Sequence, residues 1–146
     1  LGQMIQSIPA GARIGVDTVA VIYFLEDHPE FGAPARRLFE RIEAGELEAV
    51  MSTLVLTELL VPLYRAGQER TADDLSRRLR NFRSLEMRPV TDATASLAAR
   101  LRARHGLKTP DAIHAANAIE ARASGIVTND RDLRALQDEL EVWTFR

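Results

Sequence analysis

Apolar and polar positions alternate along the chain with two different periods, which together predict a regular series of strands and helices. Short segments rich in apolar residues predict strands over residues 12–17, 48–52, 86–90, 125–128 and 140–145. Apolar positions at helical spacing predict helices over residues 18–25, 33–44, 54–65, 92–104 and 110–123, a further helix that begins at Thr71, and a short helix after Asp130.

Residues at the ends of these segments indicate where the helices begin and end. Gly45 and Gly106 each follow a helix and are expected to stop it. Pro62 lies inside a predicted helix and is expected to kink or end it, because proline lacks the backbone N–H. Thr71 and Asp74 have the spacing of a weak capping box, so we expect a helix to begin at Thr71.

The alternation of strands and helices predicts an α/β fold in three layers. Its central sheet is mostly parallel, has about five strands, and is flanked by helices on both faces. The chain has 146 residues, the length of one ordinary domain, without an internal repeat or a linker. We therefore expect a single domain over 1–146, in which 1–11 are an N-terminal extension or a cloning remnant.

Composition narrows the class of protein. Hydrophobic residues make up 46% of the chain, enough for a packed core, but no apolar run is long enough to span a bilayer. The first residues lack the basic start and the continuous apolar stretch of a signal peptide. The absence of cysteine excludes disulfides and thiolate metal sites. We expect a cytoplasmic protein without a membrane partner.

Charge is distributed unevenly, although the formal net charge is only −2. Residues 70–104 contain nine arginines and four acidic residues, so this segment carries +5 and the rest of the chain carries −7. A basic region on an acidic protein can attract phosphate groups. The alternative is an ordinary solvated helical surface.

Three acidic residues stand alone in apolar surroundings. Each is the only charged residue of its segment: Asp17 in 14–25, Glu58 in 49–64 and Asp111 in 109–119. Burying an unpaired carboxylate costs several kcal/mol, so residues of this kind usually have a partner or a chemical role.

The predicted topology brings these acids and Asp130 to one edge of the sheet. Asp17 ends the first strand, and Asp130 lies just past the fourth. Helices that connect parallel strands run antiparallel to them, so the N-termini of these helices lie at the carboxyl edge of the sheet. Glu58 is in the first turns of one such helix, and Asp111 is the second residue of another, after the expected N-cap Thr109.

Four carboxylates at one edge need something to neutralise them. Two such charges about 4 Å apart repel by roughly 4 kcal/mol at an effective dielectric constant of 20. Oxygen ligands alone select hard divalent cations such as Mg²⁺ or Mn²⁺. The lack of cysteine and the presence of only three scattered histidines argue against zinc. The constellation therefore predicts a hard-metal site.

Each acid also has a plainer interpretation. Asp17 could be the N-cap of the helix that follows it. Asp111 could complement a helix dipole, and Asp130 could be an ordinary turn or cap residue. Glu58 could form a buried pair with an arginine. The shared edge, rather than any single residue, favours the metal site.

Four segments carry a family resemblance: residues 15–26, 57–60 (Thr-Glu-Leu-Leu), 109–116 (Thr-Pro-Asp-Ala-Ile-His-Ala-Ala) and 127–133 (Val-Thr-Asn-Asp-Arg-Asp-Leu). In order and spacing they resemble the successive motifs of PIN domains, and most of all those of the VapC toxins of bacterial VapBC toxin–antitoxin pairs. The resemblance covers nearly the whole chain. It implies a PIN-like fold whose catalytic and metal-binding acids are Asp17, Glu58, Asp111 and Asp130.

Neighbouring residues follow the family pattern in part. Thr128 and Asn129 match residues that support the last acid in the family. Val19 stands where the family often has asparagine or serine, which leaves Thr18 as the nearby hydroxyl. His114, one turn after Asp111, is interpreted as a core or surface histidine rather than a ligand.

The resemblance implies Mg²⁺- or Mn²⁺-dependent endonuclease cleavage of RNA by an activated water, leaving 5′-phosphate and 3′-hydroxyl ends. It implies the toxin of a type II toxin–antitoxin system, a homodimer, and a cognate antitoxin that inserts a segment across the acidic pocket. On this interpretation the arginines at positions 77, 78 and 80 help to hold RNA.

Two other functions remain open at this point. A receiver-type signalling domain is also a small α/β unit that binds Mg²⁺, but it needs an acidic pair at the end of the first strand and a late lysine. Asp17 has no such acidic neighbour, and Lys108 precedes a helix. A PIN-like binding module without catalytic activity would have the same fold and is disfavoured by the presence of all four acids.

Overall fold

The computed structural model describes residues 3–146. The strands are β1 (Gln3–Met4), β2 (Arg13–Val16), β3 (Glu48–Ser52), β4 (Leu85–Arg88), β5 (Gly125–Val127) and β6 (Glu141–Thr144). The helices are α1 (Thr18–Leu25), α2 (Gly32–Glu43), α3 (Leu54–Arg65), α4 (Glu69–Arg80), α5 (Asp92–His105) and α6 (Thr109–Glu120), with 3₁₀ turns at Ile5–Ser7 and Arg131–Leu136.

The strands form one sheet in the order β1-β6-β5-β2-β3-β4, and every neighbouring pair is parallel. This confirms the predicted α/β fold with a parallel sheet between helices, although the sheet has six strands rather than about five. β2 lies between β5 and β3, so the residues that follow β2 and β5 meet at the carboxyl edge in the middle of the sheet.

The sixth strand is the N-terminal one, which the sequence pattern does not predict. Gln3 pairs with Trp143, and Met4 pairs with Thr144 at the edge of the sheet. Ile5 and Ile8 are buried immediately afterwards. The first described residues therefore complete the sheet and part of the core, although 1–11 were expected to form an extension.

Each face of the sheet buries its own apolar layer. One layer packs α1, α2, α3 and α4 against inward residues such as Ile14, Val16 and Met51. The other packs α5, α6 and the second 3₁₀ turn against Ile126 and Val142. Because α6 lies over the central strands, side chains of its first turns reach the same edge as the residues after β2 and β5.

Small residues let α6 approach the sheet closely. The α6 residues that face the sheet are mostly alanines, and Ala115 and Ala118 are completely buried. A Cβ atom added to Gly15 of β2 would lie 2.6 Å from Cβ of Ala118. The strand and the helix are therefore closer at this point than a pair of larger residues would allow.

Three predicted helix starts are wrong by one or two residues. The helix predicted over 33–44 is α2, Gly32–Glu43. The helix expected to begin at Thr71 begins at Glu69, since the Gln68 carbonyl already accepts the first helical hydrogen bond, from the Ala72 N–H. The Thr71–Asp74 capping box is therefore absent. The cap of α6 is Lys108 rather than Thr109, since the Lys108 carbonyl already accepts the first helical hydrogen bond, from Ala112 N–H.

Other helix boundaries agree with the sequence more closely, except that α6 ends at Glu120 rather than at about 123. The predicted helices over 18–25 and 54–65 are confirmed residue for residue, and Gly106 ends α5 in the left-handed conformation at φ 69°. Pro62 lies inside α3, which continues to Arg65. Over residues 3–146, no helix combines the length and the hydrophobicity needed to cross a membrane.

Candidate functional site

The structure brings the four acids to the carboxyl edge of the sheet. Asp17 follows β2 directly, and Asp130 lies three residues after β5. Glu58 is on the second turn of α3, and Asp111 is on the first turn of α6. After burial, the charges of Asp130 and Asp17 are the main causes of a raised pKa at Asp111. These three carboxylates are therefore close enough to act on one another.

Asp17 is buried at the centre of this edge. The residue is 8% exposed, and its Oδ2 accepts a hydrogen bond from the Thr128 hydroxyl at 2.7 Å. Burial is the main reason that the pKa of Asp17 is raised, and it outweighs the opposing effects of His114 and Thr128. Asp17 occupies the N-cap position of α1, but its side chain makes no capping hydrogen bond. An N-capping role therefore does not explain why a carboxylate is buried at this position.

Glu58 contacts a histidine, not an arginine. His114 Nε2 lies 2.6 Å from Glu58 Oε1, and the Thr18 hydroxyl donates to the same oxygen at 2.8 Å. A carboxylate can only accept, so Nε2 is the donor. The hydrogen bond from His114 is the largest cause of the lowered pKa of Glu58, and it outweighs the partial burial of this group.

His114 is the site residue that sequence reasoning missed. It is 3% exposed, and Nε2 also lies 3.7 Å from Asp17 Oδ1. Burial lowers the pKa of His114 more than any single contact changes it, but Glu58 and Asp17 together outweigh burial and raise that pKa. The sequence signal was the position of His114 three residues after Asp111, on nearly the same side of a helix.

Asp111 and Asp130 are half-buried, between the buried Asp17 and the exposed Glu58. Partial burial and then the charges of Asp130 and Asp17 raise the pKa of Asp111 to about 6. Asp130 Oδ1 accepts a hydrogen bond from the Asp132 N–H at 2.9 Å, so Asp130 also caps the turn that follows it. Asp130 therefore does cap this turn, as its plainer interpretation suggests. Its carboxylate nevertheless lies beside Asp111.

Thr128 and Asn129 hold the chain between β5 and Asp130. The hydroxyl of Thr128 donates to Asp17 and accepts from the Asp130 N–H at 3.0 Å, so one buried oxygen links two of the acids. Asn129 donates from Nδ2 to the Tyr23 hydroxyl at 3.1 Å, and its Oδ1 accepts from the Phe145 N–H. Both side chains fix the position of Asp130 through the backbone.

The acids fit a hard divalent cation by donor chemistry and by charge. Among residues 3–146, no three carboxylate or imidazole groups stand close enough together to hold one metal ion as they are. However, burial and then two neighbouring acids disfavour ionised Asp111, and a cation beside these oxygens would offset both effects. The four carboxylates supply only oxygen ligands, which Mg²⁺ and Mn²⁺ prefer.

The arginines of α4 lie away from this cluster. Arg80 lines two surface grooves together with Leu56, Leu60 and Tyr64 of α3. At 100° per residue, these three positions lie on the opposite side of α3 from Glu58. Arg77 and Arg80 therefore lie across α3 from Glu58.

Comparison with known proteins identifies the family and the fold. The family model described as "PIN domain" matches residues 14–139. Among solved structures, the chain is similar to one in a VapBC2 complex from Rickettsia felis bound to promoter DNA (TM-score 0.70, 17% identity, 90% of this chain and 98% of that chain covered).

Two further chains show the same fold. One belongs to a toxin–antitoxin complex from Klebsiella pneumoniae (TM-score 0.62, 22% identity, 93% and 98% covered). The other belongs to FitAcB from Neisseria gonorrhoeae (TM-score 0.65, 17% identity, 90% and 96% covered). No curated protein matches the sequence significantly.

Proposed function

Because this chain belongs to the PIN domain family, whose members are generally nucleases, we propose that it is a metal-dependent endoribonuclease. One observation carries the proposal: Asp111 is partly buried with Asp130 and Asp17 near it, and burial followed by these two charges raises its pKa to about 6. A fold gains nothing in stability from such crowding, so the acids are better explained by a cation that binds them.

We assign the metal to Asp17, Glu58, Asp111 and Asp130, and we expect Mg²⁺ or Mn²⁺. When bound, the ion would lower the pKa of a water and offset the charge of an RNA phosphodiester. Thr128 fixes the carboxylate of Asp17, and the backbone between Thr128 and Asp130 sets where the last acid lies. The partial exposure of Asp111 leaves room for a phosphate at the rim.

We further propose that the protein is the toxin of a bacterial type II pair and acts in the cytoplasm as a homodimer. The structural relatives are chains of toxin–antitoxin complexes, which supports an antitoxin partner. A groove of about 240 Å³ between α1 and α3 is lined by apolar residues that include Ile22, Leu25 and Leu63, and it reaches Glu58. An antitoxin segment with apolar side chains and one arginine would fit both the groove and the carboxylate.

The decisive experiment is cleavage of a labelled RNA panel by the purified chain with Mn²⁺, Mg²⁺ or EDTA. We expect cleavage with either ion, none in EDTA, and loss of at least 100-fold in rate for Asp17→Asn. Asp138→Asn, an exposed acid outside the site, is the matched control and should cleave normally. Activity that persists in EDTA and in Asp17→Asn would refute the nuclease mechanism, whereas RNA binding without cleavage would indicate a binding module.

A further inference from the structure

We propose that His114 is a positioning residue for Glu58: its imidazole fixes Oε1 and leaves Oε2 free for the divalent cation that the proposed function requires. The inference rests on that function for its catalytic consequence. The pairing of the two side chains, however, can be measured separately.

Both hydrogen bonds to Glu58 converge on one oxygen. His114 Nε2 lies 2.6 Å and the Thr18 hydroxyl 2.8 Å from Oε1. No group of residues 3–146 forms a hydrogen bond with Oε2. The carboxylate is therefore fixed through one oxygen, while the other is left available.

The two partners differ in mobility. The Glu58 side chain is 34% exposed and would otherwise sample several rotamers, whereas the His114 side chain is 2% exposed. His114 is held deep in the fold because α6 approaches β2 closely where Gly15 faces Ala118. A rigid donor therefore orients a flexible carboxylate at the edge of the site.

The contacts of His114 do not match those of an ordinary core histidine. Buried polar groups in a core normally have all their hydrogen-bonding atoms satisfied. His114 Nδ1 is buried and has no partner among residues 3–146, while Nε2 faces both Glu58 and Asp17. Its other polar contact is the Thr18 hydroxyl at 3.4 Å from Nε2, and that hydroxyl itself donates to Glu58, so all the polar contacts of the imidazole lie at the acids.

The test compares His114→Leu, which removes the donor, with His114→Gln, whose amide can still donate to Oε1. For His114→Leu we expect about tenfold weaker Mn²⁺ binding by calorimetry and about tenfold lower kcat on RNA, with an unchanged KM. His114→Gln should recover most of both losses. In a Glu58→Gln background, His114→Leu should cause no additional loss, because the two residues act through one contact.

His105→Leu is the matched control, because His105 ends α5 and lies near Glu139 rather than near the acids. It should leave Mn²⁺ binding and kcat unchanged. The proposal is overturned if His114→Leu changes only thermal stability, or if its losses multiply with those of Glu58→Gln.

One measurement separates this inference from the proposed function. The ¹⁵N resonance of His114 Nε2 should shift in Glu58→Gln, whether or not the protein binds metal or cleaves RNA. A chain that binds no Mn²⁺ and cleaves no RNA would refute the proposed function. An Nε2 resonance that does not move in Glu58→Gln would refute the pairing itself.

Discussion

At the scale of single residues, the four acids differ in what surrounds each carboxylate. Asp17 is buried and bonded to Thr128, and Glu58 is bonded to His114 and Thr18. Asp111 instead has Asp130 and Asp17 for neighbours, and the charge of His114 offsets their repulsion only in part. It is therefore the residue whose ionisation should affect stability most clearly.

We expect Asp111→Asn to stabilise the metal-free protein at neutral pH. Burial and the charges of Asp130 and Asp17 raise the pKa of Asp111 from 3.8 to about 6, so the folded state binds this proton more tightly than the unfolded chain. Its contribution to stability is complete below pH 3.8, falls as the pH rises towards 6, and is absent above. Since Asp111 is partly exposed, solvent screening limits the gain in Asp111→Asn to about 1 kcal/mol at pH 7.

Denaturant unfolding in EDTA between pH 4 and 7 measures this difference. The wild-type curve should lose stability over that range relative to Asp111→Asn, and Asp138→Asn should follow the wild type. Adding Mn²⁺ should reverse the order, because the variant has lost a metal ligand. A variant that is less stable than the wild type at pH 7 in EDTA would mean that Asp111 is not in repulsive surroundings.

His114 shows the limit of sequence reasoning at this scale. Its place in the segment Ala-Ile-His-Ala-Ala indicates a histidine on a helix that packs against something. Whether its imidazole meets a carboxylate depends on how deeply α6 sits on β2, which is a property of the packed fold. The acids were easier to predict, because each is a lone charge and chain topology alone assigns it to an edge.

At the scale of elements, the site depends on the contact between β2 and α6. β2 leads directly to Asp17, while α6 carries both Asp111 and His114. The two elements meet where Gly15 faces Ala118 without a Cβ atom in between. A change in the packing of α6 against β2 should therefore move Asp111 and His114 relative to Asp17.

We expect Gly15→Ala to lower both stability and activity. The new Cβ would lie 2.6 Å from Cβ of Ala118, so the helix must move outwards, at a cost of about 1–3 kcal/mol. Cleavage should fall further than the loss of folded protein explains, because α6 moves with its side chains. Ala118→Gly in the same chain should restore both, as measured by thermal unfolding and RNA cleavage. Failure of this second change to rescue activity would show that the contact does not set the geometry of the site.

The elements that sequence patterns predicted well are those with a clear period and a clear stop. α1, α3 and β3 were predicted with their observed bounds, because apolar spacing and flanking polar residues agree there. β1 has only Gln3 and Met4, too few residues to show a period, and it exists because β6 offers an open edge. The start of α4 was misplaced because the spacing of Thr71 and Asp74 suggested a capping box, whereas the helix begins after Gln68, whose side chain makes no cap hydrogen bond that a sequence pattern could show.

At the scale of the whole molecule, the arginine-rich segment and the four acids of the candidate site lie in different places. Nine arginines lie in 70–104, whereas the four acids gather at the carboxyl edge. Arg78 pairs with Asp74 at 3.0 Å, but Arg80 forms no ion pair with any residue of 3–146. The basic face lies across α3 from Glu58, so it is suited to attract RNA rather than to contact the bond that is cut.

This separation predicts different effects on binding and on turnover. In a variant with alanine at Arg77, Arg78 and Arg80, RNA affinity should fall at low salt, and the slope of log affinity against log salt should decrease by about 1 for each of the three that contacts a phosphate. The cleavage rate at saturating RNA should stay the same, because screening over about 10 Å at 0.1 M salt isolates the acids from these charges.

The matched control removes three arginines outside the basic segment: Arg36, Arg37 and Arg122. It changes the net charge equally, so it should lower affinity less if the position of the charges matters rather than their sum. Equal effects of the two variants would mean that only net charge attracts RNA. A loss of turnover at saturating RNA in the α4 variant would instead place these arginines at the reacting phosphate, which their position across α3 from Glu58 argues against.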